Sequence, residues 1–343
     1  MGMDIRPTSL VDGESAASFG PDIIPLGTRV RVTVPGSTGN VGPGYDSLGL
    51  ALGRYDEVTV ERISGRLAFD VSGEGSQTVP QTEDHLVVRA MRTAWRAIGM
   101  HELPGLRVTA RNSIPHSRGM GSSASAIVAG VVAANAMVPE GLRLTSNAIL
   151  QICSQMEGHP DNVAPSLFGG LVISYSGPDG FHSVSVQVHS DVVPIVAIPD
   201  YEVPTRIARG LIPESVPHRE AASNSGRAAL LVHAMKDDPS ELFAATEDFL
   251  HQQYRASAMG PTAGLVTHLR GRGLAAIVSG AGPTVLVLAE NADSADRAAG
   301  LIEEFAQAPS NYFGDRRVNW DVERLTIDRN GVIVEHVESD KLL

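Results

Sequence analysis

The sequence predicts an α+β protein of two domains behind a short tail. Three observations carry this expectation. Strand-like and helix-like runs are mixed without a strict strand–helix–strand rhythm. A chain of 343 residues is long enough for one large domain or two of ordinary size. The pattern also restarts past a polar, glycine-containing stretch near 178–190, which divides the chain into units at 28–185 and 186–343.

Residues 1–27 read as a flexible tail rich in Ser, Gly, Pro and Asp. Residues 29–34 alternate, with Val30, Val32 and Val34 on one face, as a half-buried strand does. A glycine-rich stretch, 35–53, follows, and a second strand begins near Asp56. Across 84–99, Leu86, Val87, Ala90, Trp95 and Ile98 recur at helical spacing. Residues 106–112 form another strand. The run 122–137 is nearly uncharged and predicts a buried helix, with Ala126, Ala129, Gly130 and Ala133 allowing close approach of a neighbour. A further helix spans 145–157, capped by Thr145 or Ser146. In the second half, 192–199 is a strand, and 223–236, 239–255 and 292–308 are helices. Residues 274–290 read as strand, glycine turn, strand. Residues 318–337 read as a hairpin turning at Asn330-Gly331. No internal repeat is visible.

Composition narrows the function. Hydrophobic residues make up 43% and charged residues 19%, a globular balance. A net charge of −12 argues against a nucleic-acid or anionic-membrane partner. The single cysteine, Cys153, permits no intramolecular disulfide and suits a reducing compartment, so the cytoplasm is expected. No apolar run approaches the ~20 residues of a membrane span, and the start of the chain lacks the pattern of a signal peptide.

Several chemistries are excluded. The chain has two lysines, Lys236 and Lys341, and neither follows a glycine-rich loop. A Walker A loop and a protein-kinase site each need such a lysine. HExxH and GxSxG are absent. Gly119 to Ala124 matches G-x-G-x-x-A, but a Pro-His-Ser-Arg loop separates it from the preceding strand, so a dinucleotide fold is rejected.

Pro115, His116, Ser117, Arg118, Gly119, Met120, Gly121, Ser122 and Ser123 lead straight into the buried helix. Glycines let the backbone approach a ligand, and a helix N-terminus offers unpaired N–H groups and a positive dipole end. Such a loop can cradle phosphate without lysine. It can equally be a turn with a serine cap. Two more glycine-rich segments, 35–53 and 279–286, suggest backbone wrapped around a ligand.

The order P-x-S-x-x-N-x-G-P-G-Y-D, then P-x-x-x-G-x-G-S-S-A, then S-G-A-G-P-T resembles the three motifs of the GHMP small-molecule kinases. The resemblance spans nearly all of the chain after residue 28. It implies an N-terminal domain like the second domain of ribosomal protein S5, a ferredoxin-like C-terminal domain, and a nucleotide between them on loop 115–123. Segments 40–52, 157–172, 198–209, 251–255 and 279–286 resemble the members that act on L-homoserine. The implied reaction is ATP-dependent phosphorylation of its side-chain hydroxyl to O-phospho-L-homoserine, in threonine biosynthesis.

The same resemblance implies the roles. Glu157 and a hydroxyl of Ser122 or Ser123 would hold Mg²⁺ through oxygen. Asn162 stands where other members carry a basic aspartate. An amide cannot take the proton, so Asn162 would orient the hydroxyl. Asp161, its neighbour, is expected to point away. Asp46 would meet the α-ammonium group, and Arg209 and Arg255 the carboxylate, by forked contacts. Thr205, one helical turn before Arg209, would support Asn162 or the substrate. Asn40 and Gly280 would complete the substrate wall. A kinase of mevalonate-like or sugar substrates and a non-catalytic sensor are the alternatives, and a homodimer is an allowed assembly.

Overall fold

Seven strands form one sheet and four form another. The structure is a computed structural model that describes residues 18–308, 312–313 and 315–337. The strands of the first sheet are β1 (Arg29–Gly39), β2 (Leu48–Arg62), β3 (Ala68–Gly73), β4 (Leu106–Asn112), β5 (Leu171–Gly177), β6 (Gly180–Val186) and β13 (Ile333–His336). Their order is β13-β1-β2-β4-β3, with β5 pairing β2 and β6. Only β3 and β4 are parallel among these pairs.

The glycine-rich stretch is not a simple loop. β1 runs on to Gly39 and β2 starts at Leu48, so the two strands stay paired down to Gly39 opposite Gly49. Glycine makes this close layering work. A Cβ on Gly49 would overlap the carbonyl of Asp161.

Four helices cover one face of this sheet: α1 (Leu86–Ala97), α2 (Ser122–Met137), α3 (Ser146–Glu157) and α4 (Val163–Phe168). α2 carries no charge and is buried along most of its length, as an all-round apolar helix must be. Its small residues let α1 lie against it. A Cβ on Gly130 would overlap the Val87 carbonyl, and Trp95 Nε1 donates to Ala134 O at 3.1 Å. α3 begins where Thr145 Oγ1 accepts from Ala148 N–H, and it buries Cys153.

The expected tail does not extend to residue 27. Phe19 N–H donates to Gly99 O at 3.0 Å, and Ile24 is buried in the first core. Residues 18–27 therefore belong to the fold, and residues 1–17 lie outside the described residues.

The strands of the second sheet are β7 (Val193–Pro199), β8 (Ala276–Val278), β9 (Val285–Ala289) and β12 (Trp320–Arg324). Their order is β12-β7-β9-β8, antiparallel throughout. In order along the chain this is 4-1-3-2, the ferredoxin-like arrangement. α9 (Gly260–Arg270) and α10 (Ala292–Ala306) pack with it through Leu265, Leu269, Ile302 and Phe305. α6 (His218–Lys236) packs through Leu231 and Met235 in a cluster that also holds Leu48, Leu50 and Leu52 of β2. The two sheets thus share a core. A short ladder, β10 (Tyr312–Phe313) with β11 (Arg316–Arg317), lies beside them.

Two expectations are corrected. Residues 239–255 are not one helix but a 3-10 turn (Pro239–Glu241), α7 (Leu242–Ala245) and α8 (Gln252–Arg255). The Asp248 carboxylate accepts from the amides of Leu250, His251 and Gln252. Such local bonds compete with helix propagation. Nor do the last strands form a hairpin. β12 pairs with β7 and β13 with β1, so the chain crosses back to the first sheet. Asp328 steers that crossing, accepting from Asn330 and Gly331 N–H. Among the described residues no helix is long and apolar enough to cross a membrane.

Candidate active site

The glycine loop reaches α2 through left-handed backbone. Ser117, Gly119 and Gly121 have φ of 55°, 71° and 75°. A Cβ on Gly119 would overlap Ser279 O, and one on Gly121 would overlap Ser37 Oγ. The loop is therefore clamped between β1 and the turn joining β8 to β9. Ser37 N–H donates to Met120 O at 3.1 Å, and Ser279 Oγ donates to Gly119 O at 2.7 Å. Met120 is buried as an apolar anchor. Gly121 caps α2 without a side-chain bond, which leaves the first amides of a 16-residue helix free for an anion. Arg118 turns away toward the second sheet, donating to Pro199 O and pairing with Glu202. Asp56 holds the loop's entrance by accepting from Ser113 N–H, Ile114 N–H and Ser125 Oγ.

At the end of α3, Glu157 Oε2 accepts from Ser123 Oγ at 2.7 Å. Burial pushes the Glu157 carboxyl above its ordinary range, and the Ser123 hydroxyl opposes that shift. A half-buried carboxylate held by a hydroxyl is a donor set that fits a hard cation. Ser122 lies beside it on the cavity wall.

Asp161 does not point away from the site. Residues 161–162 form a turn, with Asn162 at φ −97° and ψ −36°, rather than an extended segment. Both side chains therefore reach Gly39, where a Cβ would overlap Asp161 Oδ2 and stand 2.6 Å from Asn162 Nδ2. Ser37 Oγ donates to Asn162 Oδ1 at 3.2 Å, which fixes the amide with its nitrogen beside Gly39. Ser37, not Thr205, is thus the hydroxyl that holds Asn162. Asp161 is buried, accepting from Asn40 N–H at 3.0 Å and meeting His159 Nδ1 at 2.5 Å.

The opposite wall gathers four distant segments. Asn40, Val41, Gly42 and Asp46 all have positive φ. Asn40 Oδ1 accepts from Asp46 N–H, and its Nδ2 donates to Gly280 O at 2.8 Å. Arg209, on α5 (Thr205–Gly210), makes a forked pair with Asp46 at 2.6 and 3.2 Å and donates to Tyr45 Oη. Arg255 differs. It is 1% exposed, its bonds run to His251 Nδ1 and Gly280 O, and its Nε is buried without a partner. Among the described residues no carboxylate pairs with it. Burial, before any neighbouring charge, lowers its pKa. Tyr45 lies between the two guanidiniums, each 5.6–5.7 Å from its ring.

These groups meet in one cleft of about 150 Å³. Its walls include Asn40, Ser122, Ser123, Glu157, Asn162, Thr205, Arg209, Arg255, Gly280 and most of the glycine loop. Asp46 reaches it through Arg209. His116 instead lines an adjoining cavity of about 420 Å³, which Val58, Val79, Pro80, Leu86 and Val87 make more apolar. Ser117, Ser122 and Ser123 border both cavities. Sequence reasoning misses Ser37, Tyr45, His159 and His251. Each lies within a segment the motifs cover or adjoin, yet what it touches is set by distant chain.

Residues 85–170 match the family model described as GHMP kinases N terminal domain. The homoserine kinase of Streptomyces coelicolor is 46% identical over 306 residues, covering 89% of this chain and 94% of that protein. A crystal structure of homoserine kinase from Cytophaga hutchinsonii superposes with a TM-score of 0.78 at 23% identity, covering 90% and 98% of the two chains. A structure described as putative homoserine kinase from Listeria monocytogenes gives 0.68 at 26% identity, covering 90% and 99%. The glycine loop, the acidic segment and the paired arginines thus sit on a frame shared with these proteins, and the chain belongs to the GHMP kinase family, in its homoserine kinase branch.

Proposed function

We propose that this protein transfers the γ-phosphoryl group of ATP to the side-chain hydroxyl of L-homoserine, giving O-phospho-L-homoserine for threonine biosynthesis. The observation that carries the substrate class is Arg255. A buried guanidinium without a carboxylate is costly unless an anion completes it, and this one lies in the same cleft as the phosphate loop. The substrate carboxylate supplies that anion. Asp46, shared with Arg209, receives the α-ammonium group. A neutral sugar would leave Arg255 unpaired.

The nucleoside lies in the more apolar cavity, and its phosphates cross the α2 N-terminus at Ser122 and Ser123 into the cleft. Glu157 and the Ser122 or Ser123 hydroxyl would hold Mg²⁺, which would supply charge neutralisation at the phosphates. Asn162, fixed by Ser37, donates from Nδ2 to the substrate hydroxyl and sets its line of attack. An amide takes no proton, and the Asp161 carboxylate is tied to Asn40 N–H and His159 Nδ1. The hydroxyl proton leaves with the transferred phosphoryl group or with water. Positioning and charge neutralisation supply the catalysis.

The test is ATP turnover with Mg²⁺ in a coupled ADP assay, comparing L-homoserine with L-serine, L-threonine, mevalonate and galactose. Turnover confined to homoserine is expected. Turnover with mevalonate or galactose instead would discard the roles of Asp46, Arg209 and Arg255.

A further inference from the structure

His251 lies outside the roles assigned above, yet it touches both halves of the amino-acid wall. It is fully buried. Its Nε2 is 2.7 Å from Gly42 O, and its Nδ1 is 3.1 Å from Arg255 NH1. Its ring also packs on Tyr45, 5.3 Å between centroids. A carbonyl oxygen can only accept and a guanidinium can only donate. The two contacts together require hydrogen on Nε2 and a lone pair on Nδ1. A charged ring would aim an N–H at the Arg255 donor. A ring protonated on Nδ1 would fail both partners.

The charged groups around it agree. Asp248 stands 3.6 Å from Nε2, but its oxygens already accept from three amides. Arg255 faces Nδ1 from α8, and Tyr45 and Asp46 face the ring from the turn after β1. Burial pushes the imidazole below its ordinary pKa, against an opposing pull from Asp248, and the Arg255 charge adds a smaller push in the same direction as burial.

The ring's two partners explain its place. Gly42 belongs to a left-handed run at φ of 66°, 43° and 74° for Asn40, Val41 and Gly42. Val41 is β-branched, and such backbone persists only where the surroundings hold it. Arg255, for its part, is a long cation with a partnerless Nε. We propose that His251 is a positioning residue of the amino-acid pocket: as the Nε2–H tautomer it ties the Asn40–Gly42 turn to Arg255 and so aims the guanidinium at the substrate carboxylate. The pocket's substrate rests on the function proposed above. The tie itself does not.

Two measurements test it. Steady-state kinetics would compare His251→Phe, which keeps a packed ring, with His251→Asn, which keeps an acceptor where Nδ1 lies. Losing a hydrogen bond to a charged group corresponds to about ten- to a hundred-fold in binding. His251→Phe should raise KM for homoserine by that factor, His251→Asn by only several-fold, on the order of half the free-energy change. In both, KM for ATP and kcat should hold within about threefold. A KM for homoserine unmoved by His251→Phe, or KM values for both substrates rising together, would overturn the proposal.

The second measurement needs neither a variant nor a substrate. Long-range ¹H–¹⁵N spectra of the full chain, labelled at histidine, should show His251 neutral with its hydrogen on Nε2 at pH 7. Hydrogen on Nδ1, or a charged ring, would overturn the proposal even if homoserine is turned over. The expected ring in a protein that does not turn over homoserine would sink the substrate assignment and leave the tie supported.

Discussion

The two sides of the cleft are built in opposite ways. The proposed phosphate side centres on one continuous segment, 115–123, whose working groups are backbone amides at the start of α2, with Glu157 of α3 and Asp56 of β2 beside it. The amino-acid side is assembled from Asp46, Arg209, Arg255 and Gly280, which come from four separate parts of the chain. The first needs only glycines that can adopt positive φ and sit close to Ser37 and Ser279. The second needs long side chains held by one another, as the Arg209–Asp46 fork and the His251–Arg255 bond show. On the proposed function, phosphate binding, common to many substrates, would be carried by local backbone. Substrate choice would be carried by long-range contacts, which can change without disturbing the loop.

Exchanging one charged group on each side should separate these roles. Glu157→Gln removes the carboxylate beside Ser123 while keeping its size. A kcat loss of about 10²- to 10³-fold is expected, with KM for homoserine little changed, because such chemistry depends most on stabilising charge at the transferring group. Arg255→Ala should do the reverse. Truncating a buried charged contact costs about 2–5 kcal/mol, so KM for homoserine should rise at least ~30-fold while KM for ATP stays near wild type. Both variants belong in one assay with both substrates titrated. If Arg255→Ala raised KM for ATP as much as for homoserine, the two sides would not be separable.

The same division governs what can be read from the sequence. α2 is legible to the residue, since an uncharged run behind a glycine loop is a local signal. The strand at Arg29 is legible for the same reason, as is the cap of α3 to within two residues, Thr145 or Ser146, of which the structure uses Thr145. Adjacent residues mislead where the backbone turns: Asp161 and Asn162 both face Gly39 because their segment is a turn, not a strand. The pattern over 239–255 suits a helix, but Asp248 captures three amides. The Asn330-Gly331 turn is genuine, but the strands flanking it join different sheets, β13 pairing with β1 and β12 with β7. Roles for Arg209 and Arg255 come from family motifs; spacing alone cannot place residues so far apart in the chain in one cleft. The motifs give both arginines to the carboxylate; the structure pairs Arg209 with Asp46 and, among the described residues, no carboxylate with Arg255.

Within the amino-acid side, that difference between the arginines makes a smaller prediction. Arg209 is half-buried, and its carboxylate partner is present and partly solvated. Exposed pairs contribute little. Arg209→Ala should therefore raise KM for homoserine by about tenfold or less, below the effect of Arg255→Ala. Titration calorimetry with homoserine would rank the two. The opposite ranking would make Arg209 the main carboxylate ligand.

The smallest effect expected is on stability, and it again sets the two sides against each other. His251 has its folded pKa lowered below the ordinary 6.5, chiefly by burial. Below that pH the unfolded chain takes up a proton that the folded chain resists. Its contribution is fully present above pH 6.5 and is lost as pH falls toward the folded value, with a slope of at most about 1.4 kcal/mol per pH unit. On the phosphate side Glu157 and Asp56 are raised, first by burial. The folded chain then holds protons that the unfolded chain has released, so their contribution runs the other way, falling as pH rises through the window above their ordinary values. The wild-type curve mixes both signs, and only a difference isolates either. Urea unfolding at pH 7.5 and 5.5 should show wild type losing more stability on acidification than His251→Gln, which cannot titrate. Equal losses would mean that His251 takes up its proton in the folded state as readily as in the unfolded one, and that the wall around Arg255 tolerates a charge that its hydrogen bonds forbid.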